Sequence, residues 1–177
     1  GEHAGRYDWT ATKLAEQGYL VIANDHRGHG DTAKTLGDFG TDGWNRMIDD
    51  MYQMMASYST EKKPKILMGH SMGAMLSQQF VTRYGFTLDA LVLSGSPGFN
   101  PGLMNWITRA LCWIENKRLG PLKESNLLNF LIFGSANKAF EADNPNATGF
   151  EWLSRDQSEV QKYICLLYTS DAADDSL

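Results

Sequence analysis

Residues 65–81 read KILMGHSMGAMLSQQFV, and this stretch decides the fold. Residues 65–68 form a short apolar run that predicts a strand, whereas residues 72–84 carry apolar side chains at helical spacing. The residues at 69–73, GHSMG, fit the pattern G-x-S-x-G. A serine at a sharp strand-to-helix turn projects its hydroxyl from the carboxyl edge of a sheet, where a substrate can reach it. The sequence therefore predicts that Ser71 is a nucleophile.

The same turn explains the residues around the serine. Side chains two positions before and two positions after Ser71 would collide across so sharp a bend, which predicts the glycines Gly69 and Gly73. Met72 opens the helix, so its N–H has no partner within the helix and is expected to stabilise an oxyanion. The alternative is a glycine-flanked turn without chemistry. The strand pattern before the motif and the helix pattern after it favour the catalytic interpretation.

Strands and helices alternate along the first part of the chain. We predict helices over 7–17, 44–58 and 72–84, strands over 19–23, 65–68 and 90–94, and a loop over 25–43. This order is typical of βαβ units, so we expect an α/β fold with a parallel sheet and flanking helices. After Gly95, prolines and glycines interrupt the pattern, and the subsequent residues are helical and bulky. We therefore place a partial α/β core at 1–98 and an inserted helical cap at 99–164.

Composition and charge exclude several classes of protein. The net charge of −5 argues against a nucleic-acid-binding surface. No apolar run approaches the roughly 20 residues of a membrane-spanning helix, so we expect no stable membrane span. No signal-peptide pattern is present, but this says little about the compartment because the sequence opens within a motif. A cytoplasmic location is the expectation. The two cysteines, Cys112 and Cys165, suggest neither a disulfide framework nor a metal site. The sequence indicates no oligomeric state.

The residues at 165–177 differ in character from the rest of the chain. Residues 165–175 read CLLYTSDAADD, which resembles a translated sequencing adapter. The alternative is a genuine acidic tail, disordered as many termini are. We predict that 165–177 is an adapter-derived, non-native tail that packs against nothing, and that the native residues stop at Ile164. On this interpretation the chain is a fragment cut at both ends.

Three motifs together resemble the monoacylglycerol lipase and lysophospholipase branch of the α/β-hydrolases, which is also catalogued as serine aminopeptidase-like. They are GEHAGRY at 1–7, DHRGHG at 25–30 and GHSMG at 69–73, and their order and spacing also match. The resemblance implies an α/β-hydrolase fold in which Ser71 is the nucleophile and the Met72 N–H is one oxyanion donor. It also implies that the second donor precedes Gly1, in the family's H-G-x-G motif. The triad Asp and His of the family follow the cap, so the resemblance places both beyond residue 164.

The histidines of the chain do not provide a general base. His3 and His29 are expected near the mouth of the site, because loops at the carboxyl ends of parallel strands converge. His70 adjoins the serine, but a sharp turn sends neighbouring side chains in different directions. The DHRGHGD stretch at 25–31 has metal-ligand residue types without a metal-site spacing, so it is interpreted as a braced loop.

Residues 133–137, FGSAN, mimic the G-S-x-D that carries the family's catalytic acid. They hold Asn137 where that motif has Asp, and they lie inside the predicted cap. An amide cannot stabilise a charged imidazolium as a carboxylate does. We interpret this stretch as cap structure.

The resemblance implies a serine hydrolase that cleaves carboxylic esters, most plausibly a lysophospholipid or a monoacylglycerol, through an acyl-enzyme on Ser71. No cofactor or metal is expected, and the expected partner is a small acyl ester or lipid substrate. One alternative is an aminopeptidase or another acyl or C–C hydrolase on the same scaffold. A non-catalytic ligand receptor with this fold is the alternative outside the enzymes. Without its triad acid and base, the chain as given is expected to be almost inactive.

Overall fold

A computed structural model describes residues 3–59, 63–96, 98, 102–134, 136–141 and 147–172. The described residues fall into two compact units, one within residues 3–101 and the other from residue 102 onward. The candidate nucleophile lies in the first unit.

The first unit contains a two-stranded parallel sheet, two helices that precede it in the chain, and one helix that connects its strands. Its elements are α1 (Asp8–Glu16), α2 (Gly43–Tyr58), β1 (Ile66–His70), α3 (Met72–Tyr84) and β2 (Ala90–Ser94), with 3₁₀ turns at Ala4–Tyr7, Gly30–Thr32 and Gly85–Thr87. The strands β1 and β2 pair in parallel, in register from Ile66 opposite Ala90 to His70 opposite Ser94. A parallel pair joined by a helix is the βαβ unit that the alternating pattern predicts. The predicted α/β class is therefore confirmed.

The core of this unit lies between α2 and α3. Met47, Ile48 and Met51 of α2 pack against Leu76 and Phe80 of α3, and all five are buried. Burying one such side chain contributes about 1.5–3 kcal/mol relative to leaving it exposed. Met47 and Met51 are four residues apart in α2 and form its buried methionine face. This packing holds α3 in place, and α3 in turn fixes the residue that precedes it.

The predicted strand at 19–23 is wrong, because the structure assigns no strand to these residues. Tyr19 and Leu20 are exposed, whereas an apolar run of this kind is typical of a buried parallel strand. A strand forms only where a neighbouring strand completes its hydrogen-bond ladder. None of the described residues supplies such a neighbour for this segment. Its apolar composition alone therefore did not decide its conformation.

The sheet itself is covered on one face only. Leu67 packs against the core and Gly69 lies against α3, whereas Ile66 and Met68 on the other face of β1 are exposed. This alternation follows from the two-residue period of a strand. No layer of described residues covers this second face.

The second unit is helical. Its elements are α4 (Leu103–Leu119), α5 (Asn126–Phe133), α6 (Lys138–Glu141), a 3₁₀ turn at Glu151–Leu153 and α7 (Gln157–Ala172). The buried Glu115 of α4 accepts hydrogen bonds from Arg118 and from Ser125, and the Ser125 hydroxyl also accepts from the Leu128 amide as the N-cap of α5. These contacts connect the end of α4 to the start of α5.

Helix α7 extends beyond the point at which the sequence predicted the native residues to stop. It continues past residue 164 to Ala172, and Cys165 is exposed. Residues 173–177 lie outside the described residues, so the predicted lack of packing over 165–177 stays a prediction. Across the part of the chain that is described, no helix combines the length and apolar character needed to cross a membrane.

Candidate active site

Ser71 occupies the junction between β1 and α3. The strand ends at His70, the helix begins at Met72, and Ser71 between them has φ 51° and ψ −116°. A positive φ is rare for a residue with a side chain, and holding one costs on the order of 1–3 kcal/mol. Such strain persists only where surrounding contacts fix it, and it is common at active sites. The predicted strand–serine–helix arrangement is confirmed.

The main chain of Ser71 is fixed from both sides. Its amide donates to the carbonyl oxygen of Ser94, at the end of β2, at 2.9 Å. Its carbonyl oxygen accepts from the amides of Ala74 and Met75, at 2.9 and 3.2 Å, which starts α3. Because these bonds use the backbone groups, the strained turn is stabilised while the Ser71 side chain remains exposed.

Gly69 is required by a close approach of α3. A Cβ at this position would lie 2.5 Å from the Ser77 hydroxyl oxygen and would also overlap the Gly73 carbonyl oxygen. The Ser77 hydroxyl donates to that carbonyl at 2.7 Å, so neither group can move away freely. The collision expected at Gly69 is therefore confirmed.

The collision expected at Gly73 is wrong. A Cβ built there meets no atom within 4 Å. The close approach restricts only one of the two glycines. The Gly73 carbonyl oxygen lies where a Cβ on Gly69 would be, whereas a Cβ on Gly73 would lie in open space. The turn therefore demands glycine before the serine and tolerates a side chain after it.

The Met72 amide is the available hydrogen-bond donor beside the serine. Met72 is the first residue of the thirteen-residue helix α3, and within the described part of the chain its N–H donates to no acceptor. The first amides of a helix are unpaired and lie at the positive end of its dipole. A substrate oxygen that gains negative charge beside Ser71 can accept from this group.

His70 lies beside the serine but is directed at the neighbouring strand. Its Nδ1 is 3.1 Å from the Ser94 hydroxyl oxygen, and its ring lies where a Cβ on Gly95 would come within 3.1 Å of it. Among the described residues, the Ser71 hydroxyl makes no hydrogen bond to a histidine. The structure therefore brings together Ser71 and the Met72 N–H, without a base held against them in the described residues.

The side chains of His3 and His29 contact residues within 27–39, outside the β1–α3 turn. The His29 ring stacks on Phe39 with centroids 5.5 Å apart, and its Nδ1 is 3.1 Å from the Arg27 carbonyl oxygen. His3 lies against Gly30, where an added Cβ would be 3.1 Å from the His3 Cβ. Neither histidine has a hydrogen bond or ring contact with Ser71 in the described residues, and their place at the mouth of the site stays a prediction.

His26 belongs to the DHRGHGD stretch, which has metal-ligand residue types. Burial, followed by the nearby imidazole of His29, lowers the pKa of His26 below its usual value, and its Nδ1 is buried without a hydrogen-bond partner among the described residues. Within the described ranges, no three side chains of His, Cys, Asp or Glu are grouped as metal ligands.

The FGSAN stretch supplies structure to the second unit. Asn137 is buried, donates to the Glu151 carboxylate at 2.7 Å and accepts from the Trp152 amide at 3.0 Å. Glu151 also accepts from the Thr148 amide at 2.5 Å, and this bond is the largest of the contacts that lower the pKa of Glu151 to about 2. Asn137 therefore connects two segments of the second unit, and the interpretation of this unit as a cap stays a prediction.

The sequence analysis gave no individual role to Ser94, which is paired with His70 in this site. Ser94 could have been found, because it ends the strand next to β1 and faces His70 in register. Asp25 shows how the loop interpreted as braced is held, because its carboxylate accepts from the Ala4 and Asp31 amides. The bond to Ala4 could not be predicted, because Ala4 is distant along the chain.

The comparisons with known proteins agree with this geometry. The family described as serine aminopeptidase, S33, matches residues 1–165. A monoacylglycerol lipase from Mycolicibacterium smegmatis is 33% identical over 53% of this chain and 34% of its own length. A monoglyceride lipase from Mus musculus is 28% identical over 92% of this chain and 47% of its own length.

A solved structure has the same fold. The crystal structure of a highly thermostable carboxyl esterase from Bacillus coagulans, in complex with glycerol, aligns with a TM-score of 0.73 and 28% identity. The alignment covers 93% of this chain and 53% of that protein. This chain thus spans about half the length of these relatives, or less. The chain belongs to the serine aminopeptidase S33 family and has an α/β-hydrolase fold.

Proposed function

We propose that the whole protein, meaning the gene product that contains this chain, is a serine hydrolase that cleaves carboxylic esters. Ser71 is its nucleophile, and its substrates are monoacylglycerols or lysophospholipids. The observation that carries this proposal is the strained backbone of Ser71, held between β1 and α3 beside the unpaired Met72 N–H. An exposed serine on a fixed turn beside a hydrogen-bond donor is what acyl transfer to a serine requires.

The proposed reaction proceeds in two halves. A base removes the proton of the Ser71 hydroxyl as its oxygen attacks the ester carbonyl carbon, which forms a tetrahedral intermediate. The Met72 N–H stabilises the negative charge on the former carbonyl oxygen. The C–O bond to the alcohol then breaks, the alcohol leaves with the proton, and water hydrolyses the acyl-enzyme by the same steps. The second oxyanion donor lies before Gly1, and the acid and base lie beyond residue 164.

The substrate class is supported by the relatives, which are named as lipases and an esterase. The name of the family, serine aminopeptidase, makes peptide-bond hydrolysis the second candidate. The strained Ser71 favours an enzyme over a non-catalytic receptor, because binding alone gives no reason to hold a serine at positive φ.

Substrate profiling of the whole protein tests this proposal. We expect hydrolysis of p-nitrophenyl butyrate, a long-chain monoacylglycerol and lysophosphatidylcholine, with kcat/KM about 100-fold or more above that for an aminoacyl p-nitroanilide. Ser71→Ala should abolish this activity. Ser57→Ala is the matched control, because Ser57 is exposed on α2 and, among the described residues, its hydroxyl bonds the Gln53 carbonyl alone. Faster cleavage of the anilide than of the esters would contradict the esterase proposal and favour an aminopeptidase.

A further inference from the structure

We propose that Ser94 is a positioning residue for the nucleophile, and that its side chain acts on Ser71 through His70. The inference rests on the proposed function, because it concerns how the serine of that reaction is held. Ser94 takes no proton and forms no covalent bond in this reaction. Its hydroxyl and its main-chain carbonyl instead hold two consecutive residues, one on each side of the peptide bond that leads into the strained turn.

Ser94 contacts the end of β1 at two points. Its carbonyl oxygen accepts from the Ser71 amide at 2.9 Å, and its hydroxyl oxygen lies 3.1 Å from Nδ1 of His70. A hydroxyl can donate or accept, so it forms this bond with either tautomer of the imidazole. His70 and Ser94 are also opposite each other in the β1–β2 register, which keeps their side chains on the same face of the sheet. One residue of β2 therefore fixes both the side chain of His70 and the main chain of Ser71.

The residue after Ser94 confines the imidazole from a second direction. Gly95 has φ +57°, a conformation that favours glycine, and a Cβ built on it would lie 3.1 Å from Cε1 of His70. This distance is shorter than ordinary van der Waals contact, so the ring occupies the space that a side chain at position 95 would need. The same Cβ would lie 3.8 Å from the Ser71 nitrogen. The His70 ring is thus held between the Ser94 hydroxyl and the main chain of Gly95.

The segment that holds His70 is also connected to α3. The hydroxyl of Ser96 accepts a hydrogen bond from the side-chain amide of Gln78. Gln78 lies on α3, the helix that begins directly after Ser71. Residues 94–96 therefore contact the end of β1, the turn and the helix, and the position of Ser94 relative to the nucleophile is fixed by more than the β1–β2 ladder.

The strain at Ser71 explains why these contacts affect the reaction. A residue with a side chain keeps a positive φ only where surrounding contacts hold it. The Ser71 nitrogen is one end of the bond about which φ turns, so a shift of this amide changes where the Ser71 hydroxyl lies relative to the Met72 N–H. A misplacement of about 1 Å in a catalytic group can lower the rate on the order of 10²-fold. Loss of the Ser94–His70 bond should therefore slow the reaction more than it weakens substrate binding.

A purely structural role of this bond gives a different result. If the bond only stabilised the ends of the two strands, its removal would lower the free energy of unfolding and leave kcat of the folded protein unchanged. The two interpretations therefore differ in the kinetics of the folded fraction, which circular dichroism measures for each variant.

The test measures ester hydrolysis by the whole protein in Ser94→Ala, Ser94→Thr and a control variant. Ser94→Ala removes the hydroxyl but keeps the carbonyl that binds Ser71, whereas Ser94→Thr keeps both groups. The control is Tyr84→Phe, which removes a side-chain hydrogen bond to Asp49 at the opposite end of α3 from the turn. Each variant is assayed for kcat, for KM and for the rate at which a fluorophosphonate labels Ser71, because labelling reports the reactivity of the hydroxyl without substrate binding.

For Ser94→Ala we expect kcat and the labelling rate to fall about 10-fold or more, while KM changes less than about threefold. Ser94→Thr and Tyr84→Phe should keep kcat within about threefold of the wild type. A wild-type kcat in Ser94→Ala, or a higher KM with kcat unchanged, would overturn the inference. Equal losses of kcat in Ser94→Ala and Tyr84→Phe would also overturn it, because the effect would not be specific to the turn.

A double substitution tests whether Ser94 acts through His70. His70→Leu removes the ring nitrogen that bonds the Ser94 hydroxyl. Because Ser94→Ala removes the same bond, the double variant should lose no more kcat than the more impaired single variant. Losses that multiply in the double variant would contradict an action through His70.

The same bond can be tested from its other side if Ser94→Ala does not fold. His70→Asn keeps a polar side-chain atom near the position of Nδ1 and should keep kcat within about threefold of the wild type. His70→Leu has no such atom and should lose about 10-fold, by the same reasoning as Ser94→Ala. Equal kcat in the two His70 variants would contradict the inference.

Two outcomes separate this inference from the proposed function. A whole protein that hydrolyses no ester, or a fully active Ser71→Ala variant, refutes the proposed function and this inference with it. A wild-type kinetic profile of Ser94→Ala beside an inactive Ser71→Ala variant refutes the inference alone.

Discussion

The amide of Ser71 donates to the carbonyl oxygen of Ser94 at 2.9 Å, across the ends of two parallel strands. This bond continues the β1–β2 ladder by one residue into the turn, so the neighbouring strand and not only α3 determines where the serine lies. The turn is thus held by long-range pairing on one side and by helix packing on the other. Its stability depends on contacts that individual substitutions can remove.

The first prediction concerns the two glycines of the turn. Gly69→Ala should destabilise the protein by about 1–3 kcal/mol, the usual cost of overpacking, because its Cβ would overlap the Gly73 carbonyl and the Ser77 hydroxyl. Gly73→Ala is the matched control and should be neutral or stabilising by up to about 1 kcal/mol, since it adds a good helix former in open space. Denaturant unfolding of both variants measures the difference. An equal loss of stability in the two variants would contradict the claim that only Gly69 lacks room for a side chain.

The second prediction concerns the core between α2 and α3. Phe80 is 1% exposed and packs on the methionine face of α2, so Phe80→Ala should cost about 3–5 kcal/mol. Phe86 is 84% exposed, and Phe86→Ala should change stability by less than about 0.5 kcal/mol. Because the two variants delete the same atoms, the difference between their changes in unfolding free energy reports the effect of burial. A large loss for Phe86→Ala would indicate that further residues cover this surface in the whole protein.

Local pattern predicted some elements of this fold closely. Helix α3 and strand β2 occupy the predicted residues, because helical spacing at 72–84 and an apolar run at 90–94 agree with the contacts that these elements make. The segment 19–23 has the same apolar character but has no paired neighbour among the described residues, so the pattern failed there. Strand formation depends on a partner that lies elsewhere in the sequence.

In the candidate site, too, features set by a local motif were predictable, and features set by distant contacts were not. The strain at Ser71 and the free Met72 amide follow from a local motif, and both were predictable. The hydrogen bond from the Ala4 amide to the Asp25 carboxylate was not, because it spans 21 positions. The open space at Gly73 depends on the direction of one Cα–Cβ bond, which no sequence pattern specifies.

The third prediction concerns the loss of stability at acidic pH. The pKa of Glu151 is lowered to about 2 from the usual 4.5, with the Thr148 amide bond as the largest cause. A depressed folded-state pKa means that the unfolded chain binds the proton first, so the stabilisation by Glu151 is complete above about pH 4.5 and is lost as the pH falls towards 2. Glu151→Gln should therefore flatten the acid dependence of unfolding in this window.

Glu124→Gln is the control for that measurement. Glu124 is exposed, and its substitution removes one carboxylate from the surface of the second unit. Denaturation midpoints between pH 2 and pH 5 provide the comparison. Parallel pH profiles for wild type and Glu151→Gln would show that the Glu151 carboxylate does not stabilise the fold.

The fourth prediction concerns the residues from 165 onward. The family match ends at residue 165, where the adapter-like sequence begins, which supports a non-native origin for the adapter-like residues. Independent amplification and sequencing of the gene should diverge from this chain after residue 164. The new codons should encode an Asp and then a His in a hydrolase-like context. A gene that reads on through CLLYTSDAADD into such a context would contradict the non-native origin.

The central claim is that Ser71 is an activated nucleophile, and covalent labelling tests it most directly. The whole protein is treated with a fluorophosphonate, digested and analysed by mass spectrometry to locate the modified residue. A serine hydroxyl reacts only when a base takes its proton, so labelling requires a working site. We predict one adduct, on Ser71, which is absent from Ser71→Ala and unchanged in Ser57→Ala. A folded whole protein that carries no adduct, or that carries it on another serine, would contradict the claim.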